Sequence, residues 1–292
     1  MLLKNGSRGA DVKQLQAFLG LNADGIFGNG TEAAVKKWQA ANGLTADGLV
    51  GSKTWAKMEP ASTDSTEKFY ETKGGLSIET HFLPKGEYKE GPTEKEYLFL
   101  HHTAGWHNPY NVISAWDRDS STIDTEFVMG GQSIKGNSEE YDGRVIQAFP
   151  EGAYAWHLGK NGSQHMHEHS VGIEVCNFGY IKNGKTYAGT VPDSSQLVEL
   201  KEPFRGFKTW HRYSDEQIES LRKFILFIAD RDNIDIHEGL IQEIKKHGAN
   251  GFEFNDNAYY GKTKGMWTHT NTRKDKFDMF PQQELLDMLL AL

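Results

Sequence analysis

Cysteine is nearly absent: the 292-residue chain contains one, Cys176. A single thiol cannot build an intramolecular disulfide framework, and it excludes zinc sites made of two or four cysteines. Basic charge is in deficit. Lys and Arg total 32 against 40 Asp and Glu, a formal net charge of −8, which argues against nucleic acid as the main partner because that partner needs a basic face. Long apolar runs are also missing. The N-terminus offers only Met1-Leu2-Leu3 before Lys4, so no secretory signal is legible, and nothing approaches the ~20 apolar residues of a membrane span. These absences lead us to expect a soluble chain that stays in the compartment where it is made. What is present is an ordinary globular mixture, 37 % hydrophobic and 25 % charged. Its length suits one large domain or two smaller ones, each able to bury a core.

The whole-chain charge hides an asymmetry. Residues 1–58 carry a net charge of +3 and the remainder −11, a split that suggests two units with different partners. A stretch without strong apolar residues, Glu59-Pro60-Ala61-Ser62-Thr63-Asp64-Ser65-Thr66-Glu67, reads as a linker. The expected organisation is a small domain over 1–58, a linker over 59–75 and a larger domain over 76–292.

The first unit reads as helical. Asp11 can cap a helix whose apolar face is Val12, Leu15, Phe18 and Leu19, and Thr31 can cap a second with Val35 and Trp38 inside. Ala23-Asp24-Gly25-Ile26-Phe27-Gly28 recurs 23 residues later as Ala46-Asp47-Gly48-Leu49-Val50-Gly51. Each copy looks like an Asp-Gly turn, an apolar residue that pins the loop, and a glycine leading into a helix near Thr31 or Ser52. Two copies in register, ending in Gly51-Ser52-Lys53-Thr54-Trp55, resemble the three-helix peptidoglycan-binding domain of cell-wall hydrolases. The resemblance implies an all-α three-helix domain that holds wall peptide or glycan near the two loops, and the +3 charge suits an anionic wall.

The second unit alternates strand and helix signals, as an α/β domain should. Tyr97-Leu98-Phe99-Leu100-His101 and Val171-Gly172-Ile173-Glu174-Val175-Cys176 read as buried strands, and Glu126–Met129 and Arg144–Phe149 as two more. Pro109–Trp116 reads as a short helix. Ser214-Asp215-Glu216-Gln217 is a capping box that opens a helix with Ile218, Leu221, Ile225 and Ile228 on one face, and Gln282–Leu292 makes a last apolar helix. Tyr180–Phe207 lacks periodicity and reads as an inserted loop.

Twelve histidines are many for this length. His101 ends an apolar strand, where α/β folds place site residues. Far along the chain, His269 lies close to Asp275 and Asp278. A catalytic zinc takes three protein ligands and keeps one position open, which two histidines and a carboxylate can satisfy.

Four elements in order, Y-L-F-L-H-H-T-A-G from Tyr97, A-W-H-L-G from Ala155, S-V-G-I-E-V from Ser170, and His269 with Lys276 and Asp278, resemble the zinc-dependent N-acetylmuramoyl-L-alanine amidases, a family that includes the peptidoglycan recognition proteins. The resemblance covers roughly residues 77–292. It implies an α/β catalytic domain with a mixed central sheet flanked by helices. It further implies a Zn2+ cofactor on His101, His269 and Asp278, Glu174 as general base, and Lys276 as oxyanion stabiliser. His157, with Trp106 and His102, would contact substrate. Such a zinc lowers the pKa of its water toward ~7, and a carboxylate passes the proton to the leaving amine.

Some alternatives stay open at this stage. Asp278 is followed by Met279-Phe280-Pro281 where the family usually continues Pro-Gly, so Asp275 is a rival third ligand. Glu126 stands where many members have a histidine and is a rival proton shuttle. Tyr180–Phe207 and Asn250–Lys264 look longer than the family core. His165, His167 and His169 read as a solvated loop, His211, His237 and His247 as surface residues, and Cys176 as a buried small hydrophobe. Tyr110, like Trp106, is expected either to stack on sugars or to cover the strand end. The expected whole is a modular phage endolysin with peptidoglycan as its partner, held in the host cytoplasm until it reaches the wall. The rivals are a catalytically idle wall-binding protein on the same fold and a zinc peptidase acting within the stem peptide.

Overall fold

The computed structural model describes residues 3–51, 54, 57, 69–91, 93–118, 122–159 and 162–292. The chain divides into two units, Met1–Thr66 and Glu67–Leu292.

In the first unit, α1 (Ala10–Phe18) and α2 (Asn29–Ala41) share a core of Val12, Leu15, Phe27, Val35 and Val50. Two buried glutamines, also 23 residues apart, hold the two loops of the repeat. Gln16 Nε2 donates to Asp24 Oδ1, Ile26 O and Thr31 Oγ1 at 2.7, 3.0 and 3.1 Å, and its Oε1 accepts from Gly25 N at 2.8 Å. Gln39 repeats the pattern with Asp47, Leu49, Thr54 and Gly48 at 3.0, 2.9, 3.2 and 2.9 Å. A buried amide is tolerated only when its donors and acceptor are used, and here they are. The helix starts correct two expected caps. α1 begins at Ala10 and α2 follows Gly28, so Asp11 and Thr31 lie inside the first turns. Thr31 Oγ1 instead accepts from Gln16 Nε2. The pinning residues are Phe27 and Val50, fully buried, whereas Ile26 and Leu49 are about two-fifths exposed; so is Phe18, which only edges Trp38. Of the helix expected from Ser52, only Thr54 and Lys57 are described, both helical, and the 59–67 stretch lies outside the described residues.

The second unit is built on a seven-stranded mixed sheet. Its strands are β1 (Phe69–Glu71), β2 (Ser77–Thr80), β3 (Tyr97–His102), β4 (Phe127–Met129), β5 (Val145–Gln147), β6 (Ser170–Val175) and, after two strands outside it, β9 (Gly265–Thr268). The order across the sheet is β1-β2-β5-β4-β6-β3-β9. The expected linker over 59–75 therefore overlaps the sheet's edge, since Phe69–Glu71 pairs with Ser77–Glu79. Its short polar-flanked sequence conceals the strand because an edge strand of three residues has little apolar content to show.

From the middle of the sheet to its β9 edge, the β4–β6, β6–β3 and β3–β9 pairs are parallel, whereas β4 and β5 are antiparallel. Such strands are covered on both faces and read as continuous apolar runs, which accounts for Tyr97-Leu98-Phe99-Leu100. One face packs Leu98 and Leu100 against the helices Asp215–Asp232, Leu240–His247 and Gln283–Ala291. The other packs Tyr97 and Phe99 with Leu158, Met166 and Trp267. The Ser214 capping box is formed as expected.

The region expected as an inserted loop contains a hairpin, β7 (Leu197–Phe204) and β8 (Phe207–His211). A register shift between Glu199 and Phe204 breaks the alternation that would reveal it in sequence. Its turn, Arg205-Gly206, has φ of 51° and 83°, the two positive values that a two-residue hairpin turn matched to strand twist requires.

Candidate metal centre and active site

The carboxyl ends of β3, β6 and β9 open on one crevice, the place where α/β sheets hold their ligands. Register brings His101 of β3 beside Glu174 of β6, and His269 follows the last residue of β9. Asp278 reaches the same point from the loop beyond, with its carbonyl accepting from Thr270 N at 2.9 Å.

Three ligand atoms meet there. His101 Nδ1 lies 3.0 Å from His269 Nδ1, which lies 3.0 Å from Asp278 Oδ2, and His101 Nδ1 to Asp278 Oδ2 is 3.5 Å. Bonds of ~2.0–2.1 Å to a tetrahedral zinc put its ligands about 3.3 Å apart, so this triangle fits one face of such a site. Its chemistry fits as well. Burial pulls the His101 imidazole down to about 4, against the opposing pull of Asp278, so its lone pair is free at neutral pH. Burial works against the charge of Asp278, but His269 and His101 outweigh it and hold the carboxyl well below its usual range. Two nitrogen lone pairs and an anionic oxygen so close together call for a cation between them. Among the described residues these three form the one such cluster.

A hydrogen-bonded chain fixes the orientation of His101. With Nδ1 turned to the cluster, its Nε2–H donates to His157 Nδ1 at 3.0 Å, and His157 Nε2–H donates to Ser170 Oγ at 2.6 Å. Gly172 makes room for this contact. A Cβ there would lie 2.8 Å from Thr125 Cγ2 and 3.1 Å from His157 Nδ1. Burial, then His101, holds the His157 imidazole well below its ordinary range and therefore neutral.

A cavity of about 470 Å3 opens beside the cluster, lined by His102, His157, Glu174, His269, Lys276 and Asp278, with Ile123, Phe178, Tyr180, Tyr187 and Phe277 as apolar walls. Glu174 Oε2 is buried without a hydrogen-bond partner among the described residues. Burial, then the negative charge of Asp278, pushes the Glu174 carboxyl well above the usual range, with Lys276 opposing. A carboxylate so placed is able to accept a proton near neutrality. A larger cavity of about 760 Å3, near Lys95, Glu96 and Gly265, sits at the opposite ends of β3 and β9 and contains none of these groups.

The structure brings together six of the eight expected site residues directly, with His101 behind the cavity wall as part of the cluster. His102 lines the cavity while its Nδ1 meets Tyr213 Oη at 2.8 Å. Trp106 stands one layer back, 40 % exposed, edge-on to Phe178 at 5.1 Å. The rivals fall away from the cluster. Asp275 is exposed and pairs with Arg273 at 2.6 Å. Glu126 is buried against Arg231 at 2.7 Å and Gln147 at 3.0 Å. Tyr110 gives its hydroxyl to Glu79. His165, His167 and His169 belong to a short helix, Gln164–Glu168, and its C-cap rather than to a loop, with His167 buried. His211 is buried on β8, accepting from Phe178 N at 3.2 Å, and not on the surface as expected; His237 and His247 are exposed. Cys176 is buried in an apolar cluster. The Asn250–Lys264 segment forms a 3-10 turn, Gly248–Phe252, and a short helix, Asp256–Tyr259. Sequence reading missed Ser170, Phe178 and Tyr187. A serine opening a strand and two loop aromatics leave no periodic signal.

A mixed α/β sheet with two histidines and a carboxylate converging at its carboxyl edge makes a candidate metal centre of the kind that metal-dependent hydrolases use. Residues 91–264, more than half of the chain, match the N-acetylmuramoyl-L-alanine amidase family, and the chain belongs to it. The match includes His101, His157 and Glu174 and ends before His269 and Asp278, which join the site by geometry. Residues 8–58 match a peptidoglycan binding domain. The chain is 30 % identical over 112 residues to the N-acetylmuramoyl-L-alanine amidase CwlA of Bacillus subtilis (strain 168), covering 37 % of this chain and 36 % of that protein. It thus spans about a third of the length of this curated relative. Among solved structures, a Burkholderia AP3 phage endolysin is 41 % identical over 22 % of this chain and 27 % of its own, with a TM-score of 0.21. The catalytic domain of XlyA is 14 % identical over 73 % of this chain and 97 % of its own, with a TM-score of 0.40. No helix among the described residues is long and apolar enough to cross a membrane.

Proposed function

We propose that this chain is a peptidoglycan hydrolase that cleaves the amide between N-acetylmuramic acid and L-alanine, with zinc held by His101, His269 and Asp278. The observation that carries the reading is the convergence of these three ligand atoms beside the unpartnered oxygen of Glu174, in a chain of the amidase family. Zinc bound there would supply Lewis-acid activation of water and of the scissile carbonyl. Glu174 takes the proton of the attacking water and hands it to the leaving nitrogen. Lys276, at the cavity wall, faces the negative oxygen that develops on the carbonyl, where loss of one donor typically costs ~10²–10³ in rate. His157 and Ser170 keep His101 in the ligating tautomer.

The N-terminal unit, matched to a peptidoglycan binding domain, holds the enzyme on its substrate and raises the local concentration of cleavable bonds. Its boundaries in this reading are residues 1–58. In the same reading the enzyme is a phage endolysin that reaches the wall from the host interior.

The test is mass spectrometry of a digest of purified walls, with and without chelator and with His269→Ala. Intact stem peptides beginning at L-alanine, lost in both controls, support the reading. Shortened stems still attached to glycan would show a peptidase. Bound zinc with no new amine released would show an idle binder.

A further inference from the structure

The β7–β8 hairpin lies outside the main sheet, yet its tip reaches the loops that carry the site. The Arg205 side chain is only 10 % exposed. Its Nη2 donates to Thr270 O at 3.0 Å and its Nη1 to Lys274 O at 2.5 Å, while Nε faces Glu253 Oε2 at 3.0 Å. Thr270 follows His269 in the chain. Lys274 precedes Lys276 and Asp278 by two and four residues. The planar guanidinium thus bridges the His269 turn and the loop bearing the other two groups.

The physical need for such a bridge is local. His269–Thr272 is a four-residue helix, and the last carbonyls of any helix lack partners within it. Arg205 satisfies one of them and joins it to a carbonyl of the irregular segment that follows. A lysine has no equivalent fork of donors in fixed geometry. The hairpin adds a second grip. Phe207, the first residue of β8, stacks on Tyr180 with ring centroids 3.9 Å apart, and both rings meet Phe277, at 5.9 and 5.1 Å. Phe277 lies between Lys276 and Asp278 in the chain.

We infer that Arg205 is a positioning residue that sets the spacing of His269 against the Lys276–Asp278 loop, so that the hairpin is a brace for the metal centre. The inference rests on the proposed zinc site. Arg205→Asn removes the fork while suiting the left-handed turn position, and Arg205→Lys keeps the charge toward Glu253. Zinc affinity is measured by competition with a chromophoric chelator, ligand geometry by the visible spectrum of the cobalt-substituted protein, and folding by the melting temperature of the metal-free form. Arg205→Asn is expected to lower zinc affinity by ~10–100-fold, the usual effect of losing an outer partner of a metal site, and to alter the cobalt spectrum. Arg205→Lys is expected to keep the melting temperature and still lose at least about tenfold in affinity. Wild-type affinity and spectrum in Arg205→Asn would overturn the inference alone, as would full restoration by lysine. A wild-type protein that binds no zinc overturns the functional reading and the inference with it.

Discussion

Replacing Arg231 by Met tests whether Glu126 is a structural charge or a proton carrier. Arg231 spans the Glu126 carboxylate with Nη1–Oε1 at 2.7 Å and Nη2–Oε2 at 3.2 Å, and both side chains are nearly inaccessible. The arginine stem and head also cover the rings of Phe127 and Phe227, at 5.4 and 5.6 Å. Methionine preserves much of that packing and removes the cation. Breaking a buried pair from one side costs about 3–5 kcal/mol because the other charge is left without compensation. In a unit of this size each kcal/mol moves the melting temperature by about 2–4 °C, so the expected fall is about 6–20 °C. The deficit should depend on pH. Burial already raises the Glu126 carboxyl, and Arg231 is the main group opposing that rise, with a smaller contribution from Lys95. Without the arginine the folded value climbs further, while the unfolded carboxyl still titrates near ~4.3. Stability is then fully present below the unfolded value and is lost as pH rises toward the folded one, so the deficit at pH 8 exceeds that at pH 5. Replacing Glu126 by Leu in the same protein should recover the part of the loss that comes from Glu126, while Asp232, which Arg231 also holds at 2.7 Å, stays without that cation. Calorimetry at the two pH values, with turnover measured well below the melting point, reads both quantities. A proton shuttle would instead give Glu126→Gln a fall in turnover of about 10²–10⁴ with little change in melting, and that result would refute the structural assignment.

Other expectations concern the site and the N-terminal unit. Asp278→Asn should abolish stoichiometric zinc on elemental analysis, whereas Asp275→Asn should leave it intact; the reverse outcome would reassign the third ligand. Glu174→Gln should retain zinc and lose about 10²–10⁴ in turnover; retained turnover would remove its role as general base. Gln39→Leu forfeits four hydrogen bonds at about 1 kcal/mol each, and should weaken sedimentation with purified walls while leaving cleavage of a soluble muropeptide unchanged. Cys176, whose thiol burial pushes up out of the reactive range, should resist a thiol reagent until the protein unfolds.

Much of the fold was legible because its elements are periodic. Tyr97–Leu100 is a continuous apolar run, Val171–Val175 is an apolar stretch interrupted by Glu174, the Ser214 box announces its helix, and the repeat at 23 residues marks the first unit. The expectations that failed lie where the local signal is weak or irregular. The hairpin's bulge scrambles its alternation, β1 is three residues long, and His211 looks like a surface histidine until β8 carries it under Phe178. The duplicated glutamines were as visible as the Asp-Gly turns they hold, but a glutamine on a helix is usually a solvated residue, and only burial gives the pair its meaning.

Sequence alone determined the kinds of chemistry available. One cysteine left histidine and carboxylate as ligands, a strand end placed His101 at an edge, and the amidase pattern supplied a partner set. Only the tertiary structure chose among candidates of the same type. Asp278 and not Asp275 meets the histidines, because the Thr270–Asp278 backbone bond folds that loop back onto them. Glu174 and not Glu126 faces the cavity, because parallel register sets it beside His101 while Glu126 lies against Arg231. His101 and His269 are 168 residues apart in the chain and 3.0 Å apart in space. Residue types and periodicity specify which face a side chain takes. Which distant atoms converge is decided by the path of the whole chain, and a metal centre depends on that convergence to within a fraction of an ångström.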